Sequence, residues 1–186
     1  PGPAAKYSAS ELEPRPPPQV IVHVAVCGRV IEFPARGPIR RLMAETLHLV
    51  CPHCAATNRI PSPRLAEAPK CGQCHQPLFT GHPVELGSDN FRKFIGRNDV
   101  PVVVDFWAPW CGPCQVMAPE YSAAAAELEP KVRLAKLNTD AEPALAGEFG
   151  IRGIPTLICF RAGREVARRS GAIGRSEIVR WALAQG

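Results

Sequence analysis

Six of the eight cysteines in this 186-residue chain are arranged as three Cys-x-x-Cys pairs. The pairs are Cys51/Cys54, Cys71/Cys74 and Cys111/Cys114. Two cysteines at this spacing can bind a metal ion, form a structural disulfide, or cycle between dithiol and disulfide. The residues around each pair indicate which of these chemistries it performs.

The third pair follows an apolar run, Val102 to Val104, which is too short for a helix and predicts a buried strand. The Ala- and Glu-rich stretch from Gln115 to Glu129 favours a helix. The N-terminus of a helix stabilises a thiolate on its first cysteine, and the second cysteine lies one turn away. This setting predicts a redox dithiol with Cys111 as the nucleophile. A structural disulfide or half of a metal site is the alternative.

Asp105 stands inside the same apolar run, where a carboxylate is costly to bury without a partner. A buried acid beside a dithiol can accept a proton, so Asp105 is a candidate catalytic residue. The alternative is a hydrogen-bonded structural carboxylate at the end of the strand.

The first two pairs are separated by 16 residues, which matches the spacing of a two-knuckle zinc site. Four thiolates on two tight turns form a closed, tetrahedral, structural type of site. A segment of about 38 residues cannot build an adequate apolar core, so a metal is expected there. We predict one structural zinc on Cys51, Cys54, Cys71 and Cys74. The alternatives are two redox-active or unpaired dithiols, or ligation by a neighbouring histidine: His48, His53 or His75.

The remaining pattern predicts the elements that position these residues. A helix is expected near Asp89 to Ile95 with Ser88 as its N-cap, and a second central strand is expected from Val132 to Leu137. Further predicted elements are a helix at Pro143 to Phe149, strands at Thr156 to Phe160 and Glu165 to Ser170, and a C-terminal helix with Ile178, Trp181 and Ala182 inside. This order of elements indicates an α/β fold.

The chain divides into three parts by composition. Residues 1–42 hold eight of the 21 prolines, and we expect an upstream extension that is non-native or without function. Within it, alternating valines from Val20 to Val26 predict one strand. Residues 43–80 are the expected zinc ribbon and residues 81–186 the larger domain. The joint from Thr80 to Pro83 is too short for a flexible tether. We therefore expect the ribbon to pack against the larger domain, beside Trp110 or beside the sheet edge.

Charge and hydropathy limit the partners. Of the net charge of +5, residues 1–42 contribute +3, and residues 81–186 are nearly neutral. No basic stripe with interleaved aromatics is present, so a nucleic-acid partner is not expected. No run approaches the roughly 20 apolar residues of a membrane span, and the paired cysteines suit a reducing compartment. We expect a cytoplasmic monomer.

The run from Asp105 to Cys114, DFWAPWCGPC, resembles the active-site signature of the thioredoxin family. The similarity extends through Lys136 to Asp140 and Gly150 to Thr156, and it covers residues 83 to 185. The segment that begins at Met43, MAETLHLVCPHC, resembles the zinc-containing thioredoxin 2 branch of that family. The resemblance implies a thioredoxin fold, with a central mixed sheet flanked by helices, preceded by a small N-terminal zinc ribbon.

The resemblance also implies roles for individual residues. Cys111 would attack a substrate disulfide, Cys114 would resolve the mixed disulfide, and Asp105 would take the proton of Cys114. Lys136 resembles the lysine that pairs with the buried acid, although an ordinary surface lysine is the alternative. A cis peptide is implied before Pro155. The residues implied to contact substrate are Trp110, Gly112, Pro113, Ile154, Pro155 and Gly171.

Together these expectations describe a protein-disulfide reductase that acts on disulfide-containing client proteins and is recharged by thioredoxin reductase. A zinc-dependent, redox-switched chaperone or protein-binding module is the alternative, in which the dithiol only tunes binding. Turnover that depends on Cys111 separates the two hypotheses.

Overall fold

The computed structural model describes residues 21–26, 29–34 and 45–185, and the chain divides into two compact units, residues 1–43 and 44–186. In the first unit, strands β1 (Ile21–Val26) and β2 (Arg29–Pro34) form an antiparallel hairpin. The predicted strand is confirmed, and its partner strand was not expected. The remainder of the expected extension lies outside the described residues.

The second unit begins with a segment that we call the ribbon, residues 45–79. Strands β3 (Thr46–Val50) and β4 (Thr57–Pro61) pair antiparallel, and a short 3-10 helix follows at Ser62–Ala66. Each cysteine pair opens a turn of the same design, since the first cysteine N–H donates to the carbonyl five residues later, at 2.8 Å in both turns. The ribbon is therefore held by two equivalent turns that face each other.

The rest of the second unit, which we call the sheet domain (residues 80–185), is built on a five-stranded mixed sheet. Its strands are β5 (Val84–Leu86), β6 (Val102–Trp107), β7 (Arg133–Asn138), β8 (Thr156–Arg161) and β9 (Arg164–Ser170). The spatial order is β5-β7-β6-β8-β9, with the first three strands parallel and β8 and β9 antiparallel. Ala162 and Gly163 both have positive φ, which suits the tight turn between β8 and β9.

Four helices cover the two faces of the sheet: α1 (Phe91–Arg97), α2 (Gly112–Leu128), α3 (Pro143–Glu148) and α4 (Arg175–Leu183). Side chains alternate along a strand, so Val102 and Val104 of β6 pack with α1 and α3, while Val103 packs with α2 and α4. The predicted mixed sheet flanked by helices is confirmed. Among the described residues, no helix has the length and apolar character needed to cross a membrane.

Two local expectations differ from the structure. Ser88 does not cap α1, because its N–H and hydroxyl both donate to the Glu142 carboxylate; the N-cap position belongs to Asn90. The strand β5 was not expected, because three residues are too few to show an alternating pattern.

The ribbon packs against the sheet domain, as expected, but not beside Trp110. Val50 joins the core formed by α1 and β6, and Val100 joins the ribbon core. These contacts lie where β6 and β7 begin, at the paired residues Val102 and Arg133. The dithiol follows the other end of β6, about 17 Å away at 3.3 Å per residue. Of the two expected positions, the one beside Trp110 is therefore wrong, because the chain enters the sheet domain from the amino-terminal ends of its parallel strands.

Candidate active site and metal centre

Cys111 occupies the N-cap position of α2, in extended conformation, and its Sγ accepts a hydrogen bond from Cys114 N–H at 3.2 Å. The two sulfurs form a disulfide, and both residues are almost fully buried. Pro113 lies in the first turn, where its missing N–H leaves no hydrogen bond unmade. The Cys114 N–H of the first turn thus points to the Cys111 sulfur, where it would stabilise a thiolate.

A partly apolar surface surrounds the disulfide. Trp110 is 70% exposed, and its indole N–H donates to Asp140 Oδ2 at 2.8 Å, which fixes the ring beside the site. The Ile154 carbonyl oxygen lies 3.7 Å from Cys111 Sγ, and the Ile154–Pro155 peptide is cis. Gly171 N–H donates to the Pro155 carbonyl at 2.9 Å. The structure therefore brings these expected substrate contacts to the cysteine pair, while Gly112 and Pro113 are exposed at the start of α2.

Asp105 lies on the face of β6 that packs against α2, and only 5% of it is exposed. Burial raises its pKa to about 7, and the nearby Lys136 charge opposes part of this rise. Asp105 and Cys114 line the same cavity, of about 330 Å³. The Asp105 Oδ1 atom has no hydrogen-bond partner among the described residues. A carboxylate with a pKa near neutrality, in a cavity shared with a thiol, can accept and return a proton at physiological pH.

Lys136 lines this cavity too, but its ion pair is not with the buried acid. Its Nζ lies 2.7 Å from Glu85 Oε1 and 5.3 Å from the centre of the Trp107 ring. The register of β5 with β7 places Glu85 directly opposite Lys136, which explains the choice of partner. Lys136 therefore acts on Asp105 through space, lowering the pKa of that carboxyl group, while its contacting partner is the exposed Glu85.

The four ribbon cysteines converge at the facing turns. All four Sγ atoms lie within 4.8 Å of one another, with Cys51 and Cys74 at 3.6 Å and Cys54 and Cys71 at 3.7 Å. These distances match the edge of a tetrahedron with metal–sulfur bonds of about 2.3 Å, roughly 3.8 Å. They are far too long for a disulfide. The donor set and its spacing therefore fit a tetrahedral thiophilic ion.

Hydrogen bonds within the turns reach two of the four sulfurs and favour their thiolate forms, although burial still raises the pKa of Cys51. His53 and Gln73 backbone N–H groups lie 3.4 Å from the Sγ atoms of Cys51 and Cys71. The backbone N–H of Cys74 is the main reason that the pKa of Cys71 falls to about 6. Among residues 45–185, the four cysteines are the one group of this kind, and no histidine belongs to it.

Arg133, the first residue of β7, was missed by the sequence analysis. It is completely buried, and its guanidinium donates to the carbonyls of Val50 and Leu78 and to Asn98 Oδ1. Burial lowers its pKa to about 10, against the opposing effect of the Glu129 and Cys51 charges. The available signal was the one used for Asp105, a charge between apolar residues, here Val132 and Leu134.

Two cysteines that form a disulfide at the start of a helix, close to a buried acid, are the active-site arrangement of a thiol–disulfide oxidoreductase. The mixed sheet with two helices on each face is the thioredoxin fold, as the sequence resemblance implied.

Comparison with known proteins agrees with this class. The family model described as Thioredoxin matches residues 82–184, and one described as Thioredoxin 2, N-terminal, matches residues 50–76. Thioredoxin C-3 of Corynebacterium nephridii is 47% identical over 133 residues, 72% of this chain and 91% of that protein. A thioredoxin of Porphyra purpurea is 46% identical over 48% of this chain and 83% of its own length. A solved mutant thioredoxin from Halobacterium salinarum NRC-1 has a TM-score of 0.52 and 30% identity, covering 56% of this chain and 91% of its own.

The chain belongs to the thioredoxin family. Its sheet domain carries the family's dithiol, and its ribbon matches the segment that precedes this domain in thioredoxin 2. The expected enzyme class, protein-disulfide reductase, is confirmed.

Proposed function

We propose that this chain reduces disulfides of client proteins with Cys111 and Cys114, is recharged by a thioredoxin reductase, and carries one structural zinc on its four ribbon cysteines. The observation that carries the redox proposal is the position of Cys111 Sγ at the N-cap of α2, hydrogen-bonded to the Cys114 N–H. The shared cavity with Asp105 supports the assignment of the second step.

In the first step the Cys111 thiolate attacks one sulfur of the client disulfide. A bond forms between Cys111 Sγ and that sulfur, the client disulfide breaks, and the other client sulfur leaves as a thiolate. The exposed side of Trp110, with Gly112 and Pro113, would receive the client chain. The Ile154 carbonyl beside Cys111 and the neighbouring Pro155 and Gly171 offer backbone groups to an extended client segment.

In the second step Cys114 resolves the mixed disulfide. Asp105 accepts the thiol proton, and the resulting Cys114 thiolate attacks Cys111 Sγ. The intramolecular disulfide forms, and the second client sulfur leaves with both electrons of the broken bond and is protonated. Lys136 would favour the ionised form of Asp105 and so ready it for the next proton. The oxidised chain then needs two electrons, which a reductase supplies.

The ribbon cysteines Cys51, Cys54, Cys71 and Cys74 would hold the zinc ion, and their geometry supports this. When bound, zinc cross-links the two facing turns of the ribbon and has no open position for chemistry. Metal analysis should find one zinc per chain, and Cys54→Ser should lose most of it without altering the dithiol.

The charge distribution supports proteins rather than nucleic acids or membranes as partners, because the sheet domain is nearly neutral. The paired cysteines support a reducing, cytoplasmic location, and we propose that the chain acts as a monomer.

Insulin disulfide reduction tests the redox proposal. We expect Cys111→Ser to abolish turnover and Cys114→Ser to trap a mixed disulfide with the client. Cys159→Ala is the matched control, since it removes a buried cysteine of β8 that lies outside the site, and it should retain activity. Turnover that survives Cys111→Ser would exclude the reductase mechanism and favour a binding module.

A further inference from the structure

The guanidinium of Arg133 is a positive charge that the fold buries completely. Its Nη1 lies 2.5 Å from the Val50 carbonyl and 3.1 Å from Asn98 Oδ1, and its Nη2 lies 2.9 Å from the Leu78 carbonyl. The ring of Phe94 packs against it, 4.6 Å from the guanidinium carbon. Among residues 45–185 it forms no ion pair with a carboxylate. Two backbone carbonyls and one buried side-chain amide therefore accept hydrogen bonds from this cation, and no carboxylate of residues 45–185 contacts it.

The two carbonyls bracket the cysteine cluster. Val50 immediately precedes Cys51, and Leu78 follows Cys74 by four residues. One side chain of the sheet therefore fastens both the entry and the exit of the loop that carries all four sulfurs. Asn98 completes the attachment, because its Oδ1 also accepts from the Val50 N–H at 3.0 Å. The planar fork of an arginine can make these parallel contacts, which a lysine cannot reproduce.

Charge gives this attachment a second consequence. Four thiolates and one divalent ion carry a net charge of −2, and a buried charge is stabilised by an opposite charge nearby. Two of the four sulfurs, those of Cys51 and Cys71, are on buried residues, and Val50 places the Arg133 contact next to Cys51. Arg133 contacts no carboxylate among residues 45–185, and the charges of Glu129 and Cys51 both act on it through space. Its charge is therefore complementary to that of an anionic cluster on the Cys51 side.

We propose that Arg133 is a positioning residue of the metal centre: it holds both ends of the cysteine loop and offsets the charge of the metal–thiolate cluster, so that metal affinity and the stability of the sheet domain depend on each other. This inference rests on the proposed metal site. It assigns Arg133 no part in thiol–disulfide exchange, because its strand position is at the far end of β7 from Lys136 and the dithiol.

The test compares zinc affinity, measured by competition with a chromogenic chelator, in wild type, Arg133→Met, Arg133→Lys and Arg59→Met. Arg59 is an exposed arginine of β4, so Arg59→Met is the matched control and should behave as wild type. We expect Arg133→Met to weaken zinc binding at least about tenfold, as loss of a supporting group around a metal site does. Arg133→Lys should recover part of the affinity because it restores the charge alone.

Thermal unfolding gives the second readout. Removing zinc with a chelator should lower the wild-type midpoint by several degrees, with a much smaller effect on Arg133→Met. If Arg133→Met does not fold, hydrogen exchange of the wild type decides: zinc removal should weaken the protection of β7 amides. Two outcomes would overturn this proposal alone. One is a folded Arg133→Met variant that binds zinc as tightly as wild type, and the other is hydrogen-exchange protection of the β7 amides that does not change when zinc is removed. A wild-type chain that binds no zinc overturns the metal site and this inference together.

Discussion

Burial raises the pKa of Asp105, which suits the residue to proton transfer and also lowers the stability of the folded protein. Its carboxyl group keeps its proton up to about pH 7 in the folded protein, because burial disfavours the charge. In the unfolded chain an aspartate releases its proton near pH 4. Between these values the unfolded state binds fewer protons than the folded state, so stability falls as pH rises and the loss is complete above about pH 7.

We therefore predict that Asp105→Asn stabilises the protein at pH 8 and has little effect at pH 4. A difference of three pKa units corresponds to about 4 kcal/mol, which is the upper limit of the gain at pH 8. Urea unfolding at the two pH values measures it, with the exposed Asp89→Asn as control. The same Asp105 variant should resolve mixed disulfides more slowly. An equal change in stability at both pH values would show that Asp105 is ionised throughout.

Lys136 and Glu85 should move the pKa of Asp105 in opposite directions. Lys136→Met removes the charge that lowers this pKa, so the pKa should rise above about 7. Glu85→Gln removes the carboxylate that pairs with Lys136, so the lysine charge acts on Asp105 uncompensated and the pKa should fall. Titration of the Asp105 carboxyl carbon by NMR measures both effects directly. Shifts in the same direction would mean that the two substitutions act by disturbing the cavity instead of its charges.

The chemistry-bearing residues could be predicted from the sequence where their signal is local. The spacing of the cysteines, the helix that follows Cys111 and the acid inside an apolar run are all visible within a dozen residues. Asp140 and Glu85 were missed because each acts through a partner distant in sequence; Trp110, for example, is 30 residues away from Asp140. Arg133 did carry a local signal, a charge between apolar residues, but the group that it contacts, Val50, is 83 residues away. The local sequence around a polar side chain does not determine which distant group it will contact.

At the scale of elements, a buried hydroxyl group links α2 to the sheet in addition to their shared apolar core. Tyr121 of α2 is fully buried, and its hydroxyl oxygen lies 2.9 Å from the Val103 carbonyl of β6 and 3.0 Å from the Ala135 carbonyl of β7. The hydroxyl reaches the two central strands at the point where they carry Asp105 and Lys136. The helix that begins with the dithiol is therefore held in register with the strands beneath it.

Tyr121→Phe should lower the free energy of unfolding by about 1 kcal/mol, because it removes this hydrogen bond and leaves the ring in place. Equilibrium unfolding in urea measures the change, and the slope of the transition should be unaltered. A variant as stable as wild type would show that the hydroxyl contributes no net stability and that packing alone positions α2.

Elements with long apolar or amphipathic patterns were predictable, and short ones were not. β6, β7 and β8 each contain runs of buried residues that alternate between the two faces, and all three were expected. β5 has three residues and exists because β7 offers it a free edge, which no local pattern reveals. The cap of α1 was mispredicted for a similar reason, since Glu142 competes for Ser88 from across the fold.

At the scale of the whole molecule, the boundary near residue 43 and the boundary near residue 80 differ in kind. Residues 1–43 form a compact unit separate from residues 44–186. The ribbon, in contrast, shares its core with the sheet domain through Val50 and Val100. Truncation of the chain at the first boundary should therefore be tolerated, and truncation at the second should not.

Deletion of residues 1–42 should accordingly leave the insulin-reduction rate and the thermal midpoint unchanged. Deletion of residues 1–80 should lower the midpoint markedly, because it exposes part of the core and strips Arg133 of its ribbon acceptors. Calorimetry and the insulin assay on both truncations check this. Loss of activity or stability in the shorter deletion would assign residues 1–42 a role in this enzyme.

The distance along the chain between Val50 and Arg133 has a consequence for the order of synthesis. At about 5–20 residues per second, Arg133 is made roughly 4 to 17 s after Val50. The four ribbon cysteines are synthesised during that interval, before the arginine that fastens their loop exists. If the ribbon binds zinc as proposed, the first encounter of its thiols with the metal therefore precedes the synthesis of Arg133, and the arginine can secure only a loop that has already formed.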